Sequence, residues 1–455
     1  MQKIIPIYYS EYGRYINKFR AIPSYIDGLK FVERRILLTL HEVAKKDLTG
    51  SAEIVGTALK YHPHGDVSVY HSLVGLVEQG YAVKQGNWGS QGMIEDDPPA
   101  HYRYTETKLE KWVEELAFKY IDYVPWEEFE KKPEPVYLPC PLPMGLIGRD
   151  VITGITFYKA TIPKFKISDL AKRLVYLLDK RGPKIEVFPT ARNCDIQELE
   201  PDQMNSILTK GVGTLSYRPH GKLENKFIRI QGRSPLSSFE SLYANVDKLE
   251  IDIRDGSGSE SNGELDGFIE PRKRGTNLQT LGTLIWDKYL TKNINFNCLF
   301  CDNEGKVKAY GIDEILTNNY TCWKYSVKLK CVDDYNKLSN RKVELMVVQI
   351  IRYIFETYKS TKVEDIISKY HELKKTMDVS IEIDLFDIDT DKWSKEIKQI
   401  NDQDIIDICN KRSIKNLIET VIDVQKVEND LISARALINN SEKDCFNYLS
   451  QLRSA

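Results

Sequence analysis

The sequence has no apolar run near the ~20 residues that a helix needs to cross a bilayer. Its first residues also lack the pattern of a signal peptide, because their apolar part is short and is followed by charge. These absences exclude a helical membrane protein and argue against secretion. We therefore expect a cytoplasmic location.

The sequence also has little excess charge of either sign. Its 64 Lys and Arg residues against 66 Asp and Glu residues give a formal net charge of −2. Bulk charge therefore gives no sign of nucleic-acid binding. Such binding requires only that cations be concentrated where phosphates lie, so the distribution along the chain matters more than the sum.

The eight cysteines are scattered, which is typical of reduced thiols in a chain without a secretion signal. Cys298 and Cys301 have CxxC spacing, but a zinc site needs two more ligands at matching spacing, and none is nearby. The alternating stretch around them ends in Asp-Asn-Glu-Gly. We therefore favour a strand that enters a turn over metal or redox chemistry.

A length of 455 residues suits two to four domains, because domains usually have roughly 100–200 residues each. Changes in the sequence pattern predict three regions, residues 1–150, 151–325 and 326–455. The middle region mixes short alternating segments typical of strands, such as GTLSYR and KFIRIQG, with amphipathic helices, and the last is predominantly helical. We expect a mainly helical α+β multidomain fold.

Within the first region, the sequence predicts a loop that leads into a helix at IDGLKFVERRILLTLHEVA, with Ile36, Leu37 and Leu40 on its apolar face. A short helix follows at SAEIVGTALK, and then the turn YHPHGD. Asp66 is placed to cap the next helix, VSVYHSLVGLVEQ, whose apolar face includes Tyr70. Two short helices joined by a tight turn form a helix-turn-helix pattern. The proline-rich stretch EKKPEPVYLPCPLP predicts a linker wall that closes this region, rather than the interior of a helix or strand.

Seven cationic or imidazole side chains lie beside the turns and helix ends of this first region. They are Lys30, Arg34, Arg35, Lys60, His62, His64 and Arg103. Phosphate-binding proteins place cations and helix N-termini in this way, because both supply donors to an anion. The alternative to phosphate binding is a basic surface that contacts only solvent. Without further evidence, these seven residues favour that alternative.

The last region carries long stripes of apolar residues at spacings of three and four. The first stripe is Val343, Val347, Ile350 and Ile354, and the second runs from Ile414 to Ile438. Such stripes suit an antiparallel coiled coil or an ordinary helical bundle, and periodicity alone leaves both open.

Arg103 and Tyr104 form a candidate catalytic pair. A tyrosine phenol has a pKa near ~10, so it is a poor nucleophile unless cations stabilise its phenolate. An adjacent arginine supplies such a cation and can also bind a phosphate under attack. Since the chain has 26 tyrosines, this pair alone singles out nothing.

The order of the motifs along the chain singles out the pair Arg103 and Tyr104. The chain resembles the A subunits of DNA gyrase and topoisomerase IV, the DNA-cleaving subunits of type IIA topoisomerases. The segments that carry this resemblance are AIPSYIDGLKFVERRIL, KYHPHGDVSVYHSLV, QGNWGS, HYRYTETKL, PVYLPCPLPMGLI and VITGITFYKATIP. The match is close over residues 20–165 and weaker but continuous in pattern beyond them.

The resemblance implies a winged-helix domain in residues 1–150, a tower domain in 151–325, and a coiled coil with a dimer gate in 326–455. It implies that Tyr104 attacks a DNA phosphate to form a 5′-phosphotyrosyl link and that Arg103 stabilises that phosphate. Ile155 matches a residue that wedges between base pairs. The implied DNA- or phosphate-binding residues are Arg20, Lys30, Arg34, Arg35, Lys60, His62 and His64.

The sequence offers no acidic cluster for a metal and no glycine-rich ATP loop. The resemblance implies that a separate B subunit holds the Mg²⁺ and hydrolyses ATP in an A2B2 complex, with this chain as a homodimer on double-stranded DNA. Without a DNA-wrapping domain after the coiled coil, we expect relaxation or decatenation rather than negative supercoiling, and a divergent, viral or phage source. A DNA-binding or partner-sequestering homologue that does not cleave is the alternative.

Overall fold

The computed structural model describes residues 4–129, 132–155, 158–180, 186–258, 264–359, 362–377, 399–411 and 424–452. The chain divides into two compact units. The first unit comprises Met1–Val327 with Cys445–Ala455, and the second comprises Lys328–Asp444.

Helices dominate the start of the first unit and the described part of the second. Those of the first unit are α1 (Ile4–Ile16), α2 (Phe31–Val43), α3 (Ser51–Ala58), α4 (Asp66–Glu78), α5 (Lys111–Val113), α6 (Ile167–Asp179), α7 (Gln203–Lys210), α8 (Glu240–Tyr243), α9 (Val246–Leu249) and α10 (Leu278–Ile285). The later helices are α11 (Ile312–Tyr358), α12 (Val363–Met377), α13 (Asp402–Lys411) and α14 (Val424–Leu452). Short π-helical turns span Asn17–Ala21, Glu114–Phe118 and Trp286–Leu290, and 3-10 turns span Ile121–Tyr123 and Met144–Leu146.

The described strands of the first unit pair antiparallel throughout. A five-stranded sheet has the order β5 (Val151–Ile155), β6 (Lys159–Pro163), β13 (Lys292–Asn297), β8 (Val212–Pro219) and β7 (Cys194–Glu198). A four-stranded sheet has the order β11 (Ile251–Asp255), β12 (Gly267–Pro271), β10 (Ile228–Ile230) and β9 (Gly221–Leu223). Three two-stranded pairs are β1 (Thr49–Gly50) with β2 (Glu106–Thr107), β3 (Trp126–Glu128) with β4 (Pro133–Pro135), and β14 (Leu299–Cys301) with β15 (Val307–Ala309).

The first unit contains two separate apolar cores. The main core contains buried residues of α2, α3 and α4 and of the five-stranded sheet, and the apolar face of α2 predicted from Ile36, Leu37 and Leu40 is fully inside it. The second, which we call the four-strand core, lies between the four-stranded sheet and α8 and α10. A third core belongs to the second unit, where the stripe residues Ile350 and Ile354 pack with residues of α12 and α13.

Most element predictions are confirmed. Helices occupy the three predicted stretches of the first region, and GTLSYR and KFIRIQG fall in β8 and around β10. The stretch with Cys298 and Cys301 enters β14, as expected of a strand, and both thiols are free and buried. Burial raises the pKa of Cys301 to about 12. Ile414, Leu417 and Val421 of the second stripe lie outside the described residues.

Two local predictions are wrong. The proline-rich stretch is not free of regular structure, because Pro133–Pro135 form the strand β4, and its Leu138, Cys140 and Leu142 are fully buried in the main core. Its alternation of prolines with apolar residues suits a wall of the core as well as a linker. Asp66 does not cap α4, because it is the first residue of the helix rather than the residue before it. Its carboxylate accepts a hydrogen bond from the hydroxyl of Tyr102, far along the chain.

Two buried ion pairs fasten α2 to the loop before it and to β4. Arg34 donates to both oxygens of Asp27 at 2.8 and 3.0 Å, and Arg35 donates from Nε and Nη2 to Glu134 at 2.6–3.0 Å. Asp27 also accepts from the backbone amides of Leu29 and Leu138. Because each carboxylate has several donors, both charges are paired inside the main core.

None of the described helices is both long and apolar enough to cross a membrane.

Glu134→Ala should lower the free energy of unfolding by about 3–5 kcal/mol, because it leaves the buried guanidinium of Arg35 without its counter-charge. Denaturant unfolding followed by tryptophan fluorescence measures the loss. The matched control is Glu270→Ala, which removes an exposed pair with Arg254 and should cost no more than about 1 kcal/mol. Equal losses in the two variants would contradict the role of the buried pair.

Candidate active site

The segment with Tyr104 presents its phenol to solvent. Tyr104 is 64% exposed, although Thr105 and Thr107 on either side of Glu106 are buried. The Tyr104 amide donates to the carbonyl of His101 at 2.8 Å, so a tight turn precedes the strand β2. The alternation along β2 therefore keeps the threonines inside and leaves the phenol outside.

Hydrogen bonds to the helices below anchor this segment. The Thr105 hydroxyl lies 2.9 Å from the hydroxyl of Ser51, at the start of α3, and the Ser51 amide donates to the Thr105 carbonyl. The hydroxyl of Tyr70, on α4, donates to the Ala100 carbonyl at 2.6 Å and lies 3.1 Å from the Thr105 hydroxyl. The backbone beneath Tyr104 is thereby tied to two helices.

Gly86 supports the same segment from its other side. It has a φ of +92°, and a Cβ atom there would lie 2.9 Å from the carbonyl oxygen of Tyr104. Its neighbour Gln85 exchanges backbone hydrogen bonds with Glu106 at 3.0 and 3.1 Å. The close approach requires glycine, since any side chain would displace the Tyr104 backbone.

Arg103 supplies the nearest cation. Its guanidinium carbon lies 4.7 Å from the centre of the Tyr104 ring, within the range of a cation–π contact. Arg103 is exposed, so the same guanidinium is accessible to an anion in solvent. The two catalytic residues predicted from the sequence therefore form one group on the surface.

Asp66 and Tyr102 connect this pair to the first turn of α4. The Tyr102 hydroxyl donates to the Asp66 carboxylate at 3.1 Å. That hydrogen bond raises the pKa of Tyr102 and lowers the pKa of Asp66. Around neutral pH the Tyr102 hydroxyl therefore keeps its proton and the Asp66 carboxyl stays ionised, so the hydrogen bond persists.

Imidazole and guanidinium groups form a second cluster, just before α4. The rings of His62 and His64 lie 4.6 Å apart between centres. Arg20 Nη2 is 3.1 Å from His64 Nδ1, and Arg35 Nη1 is 2.8 Å from His62 Nδ1. The fold thus brings together three segments of the chain. Asp66 follows His64 by two residues and accepts a hydrogen bond from Tyr102, which lies two residues before Tyr104.

Accessibility divides the predicted phosphate-binding residues. Arg20 and Lys60 are exposed, whereas Arg34 is 1% exposed and Arg35 is fully buried in the ion pairs of α2. The two buried guanidinium groups are therefore placed to support the cluster rather than to meet a ligand from solvent. His62 is buried between Arg35 and His64.

Lys30 and Ile155 are associated with the five-stranded sheet. Lys30 Nζ donates to the carbonyl of Thr153 in β5 at 2.7 Å. Ile155 ends that strand opposite Lys159 and is 72% exposed, which is a high value for an aliphatic side chain. The apolar side chain is therefore available to a ligand that contacts the end of the hairpin.

Sequence reasoning missed the polar contacts under Tyr104. Tyr70 was assigned only to the apolar face of α4, Ser51 only to a short helix, and Thr105, although it lies in the segment HYRYTETKL, was given no role. A hydroxyl on an otherwise apolar helix face was the one available hint, since buried hydroxyls need partners. The hydrogen bond between Tyr102 and Asp66 was also missed, because Asp66 was expected to cap a helix.

The described residues contain no group of three or more His, Cys, Asp or Glu side chains that could hold a metal ion. The groups around Tyr104 are mainly guanidinium and imidazole, and Asp66 is engaged with Tyr102. This donor set does not fit a magnesium ion, which prefers carboxylate oxygens and water.

Comparison with known proteins identifies the family of this chain. The model of the DNA gyrase/topoisomerase IV A-subunit family matches residues 20–450. Relatives include the DNA topoisomerase 4 A subunit of Haemophilus influenzae, 32% identical over 350 residues, and the DNA gyrase A subunit of Borreliella burgdorferi, 31% identical over 339 residues.

Each of these alignments covers 68% of this chain, but only 44% of the Haemophilus protein and 41% of the Borreliella protein. The DNA topoisomerase 4 A subunit of Staphylococcus aureus is 29% identical over 354 residues, again with 68% and 41% coverage. The chain therefore spans less than half the length of the curated relatives it matches. Since the family matches nearly the whole chain, the protein belongs to the family of DNA gyrase and topoisomerase IV A subunits.

Proposed function

We propose that this chain is the DNA-cleaving subunit of a type IIA topoisomerase and that Tyr104 is its nucleophile. The observation that carries the proposal is the exposed phenol of Tyr104 beside Arg103, on a backbone tied to α3 and α4. A nucleophile must be both accessible and fixed, because small errors in position lower the rate strongly. Tyr104 meets both requirements.

The reaction is a transesterification. The Tyr104 oxygen forms a bond to a backbone phosphorus, and the bond from phosphorus to the 3′-oxygen breaks. The phenol loses its proton, and the leaving 3′-oxygen gains one, which gives a 3′-hydroxyl and a 5′-phosphotyrosyl end. Arg103, whose guanidinium lies over the Tyr104 ring, would stabilise both the phenolate and the charge on the phosphate. The reverse attack reseals the strand.

We assign DNA contacts to the accessible groups of the site. Arg20, Lys30, Lys60 and His64 would bind backbone phosphates, with His62 beside them at the cleavage pocket. Arg34 and Arg35, buried in their ion pairs, would support this cluster through His62 and α2. Ile155 would enter a base step, where unstacking costs a few kcal/mol and is offset by contacts to the bent duplex.

Double-strand passage requires more than this chain. Two copies would cut the two strands, and a B-type subunit would supply Mg²⁺ binding and ATP hydrolysis in an A2B2 complex. The magnesium would assist departure of the 3′-oxygen when bound. The winged-helix, tower and coiled-coil assignments and a preference for relaxation or decatenation remain predictions. A non-cleaving DNA-binding or partner-sequestering homologue is the competing class.

Tyr104→Phe should abolish covalent protein–DNA complexes, because it removes the attacking oxygen. The chain is mixed with a B-type subunit, Mg²⁺ and supercoiled plasmid, trapped with detergent and assayed for DNA bound to protein. The matched control is Tyr12→Phe, an exposed tyrosine of α1, which should cleave normally. Cleavage by the Tyr104 variant would refute the mechanism, and absence of cleavage by the unaltered protein would favour the competing class.

Gly86→Ala should lower the cleavage rate by about tenfold or more, because the new Cβ displaces the Tyr104 backbone. Gly80→Ala is the matched control, since Gly80 also has a positive φ of +83° but meets open space. Both variants should lose about 1 kcal/mol of stability from backbone strain. If both lost cleavage alike, strain rather than contact with Tyr104 would be responsible.

Lys60→Gln should reduce the slope of log Kd against log salt by about 0.9, as expected when one phosphate contact is lost. Arg34→Lys should lower the unfolding temperature and leave that slope unchanged, because Arg34 is buried against Asp27. Fluorescence anisotropy with a short duplex at several salt concentrations measures both slopes. A lower slope for the Arg34 variant would assign direct phosphate contact to Arg34.

A further inference from the structure

The loop that precedes Tyr104 reaches into the four-strand core. Met93 is 1% exposed and packs in that core with Ile228, Ile251 and Ile269. The Met93 side chain fits in the core only because residue 267 of β12 is a glycine. A Cβ atom at Gly267 would lie 2.1 Å from Met93 Cγ. The neighbouring Ile94 stays exposed, so the loop inserts one side chain only.

The carboxylate of Asp255 holds the backbone of the same loop. Its Oδ2 accepts from the amides of Met93 and Ile94 at 2.7 and 3.0 Å. Burial alone would raise the pKa of this carboxyl, but hydrogen bonds from Ser257 and from the two loop amides hold the pKa below its ordinary value. Asp255 therefore stays charged and keeps both donors at neutral pH.

A bidentate ion pair makes the third attachment. Arg233 donates to both oxygens of Asp96 at 2.8 Å each, and Asp96 also accepts from the Gly92 amide at 3.0 Å. Arg233 lies three residues after β10, and its side chain is 18% exposed and that of Asp96 49% exposed, whereas Arg272 and its partners Asp247 and Asp252 are 43%, 95% and 66% exposed. Planar pairs of this kind fix orientation as well as distance.

Backbone hydrogen bonds connect this loop to the segment that holds Tyr104. Ser90 and Asp97 exchange backbone hydrogen bonds at 3.0 and 3.1 Å, and the Ala100 amide donates to Asn87. From Ala100 the chain continues through Tyr102, bonded to Asp66, to Tyr104. Six residues, 98–103, separate Asp97 at the end of the loop from Tyr104.

We propose that residues 92–97 form a strap that fastens the Tyr104 segment to the four-stranded sheet, with Arg233 as a positioning residue for Tyr104. The role in cleavage rests on the proposed function, whereas the attachment itself does not. Because the strap holds the segment at three points, the sheet and the phenol move as one body. A motion that shifts the sheet would shift the nucleophile with it.

The strap is tested with Arg233→Met, which keeps the aliphatic stem and removes the ion pair. Amide hydrogen exchange on the chain alone should become about tenfold faster at Ala100, Tyr104 and Glu106, because local opening costs less. The matched control is Arg272→Met, which removes exposed pairs with Asp247 and Asp252 at the same sheet and should leave these amides unchanged. Unchanged exchange in Arg233→Met would overturn the strap.

Cleavage provides the second measurement. With saturating DNA, Arg233→Met should cleave about tenfold more slowly, while its Kd for DNA stays within about twofold of the unaltered protein. The cleavage rate of Arg233→Lys should lie between those of Arg233→Met and the unaltered protein. The charge exchange, Asp96→Arg together with Arg233→Asp, should recover part of the lost rate. A Kd that rises in step with the loss of cleavage would instead make Arg233 a DNA contact and overturn the positioning role.

The two measurements separate the two proposals. If the unaltered protein forms no covalent complex, the proposed function fails, and the exchange experiment still decides whether the strap exists. If exchange quickens in Arg233→Met but cleavage does not change, the attachment stands and the positioning role is refuted.

Discussion

The guanidinium of Arg35 connects the interior of the first unit to its candidate active site. It pairs with Glu134 on one side and contacts His62 on the other, so one buried charge joins α2, β4 and the turn before α4. A charge removed from water is stable only when its partners are complete. The cluster of His62, His64 and Arg20 therefore depends on a pairing that lies wholly inside the core.

Much of the fold follows from periodicity. The apolar face of α2, the helices at Ser51 and Asp66, and the strands β8 and β10 were predicted from spacing, because burial of one face imposes the same repeat on the sequence. Spacing could not predict the proline-rich wall of the main core. Proline and leucine alternate there, and whether such a stretch is exposed depends on what packs against it.

The site was predicted in part. Ordered motifs pointed to Tyr104, Arg103 and the cations, but the sequence could not distinguish an accessible arginine from a buried one. Arg20 and Arg34 have the same chemistry, and only the fold places Asp27 against the second. The partners Tyr102–Asp66, Met93–Gly267 and Asp96–Arg233 join distant segments, so no local pattern predicts them.

The pairing of β1 with β2 has a consequence for how this sequence can change. Thr49 faces Thr107 and Gly50 faces Glu106, so the register fixes which side chains point inward. Inserting one residue beside Tyr104 would reverse that alternation and turn the phenol toward the core. Substitutions between Ala100 and Thr107 can therefore accumulate more easily than insertions or deletions, and the length of this segment is a stricter constraint than its composition.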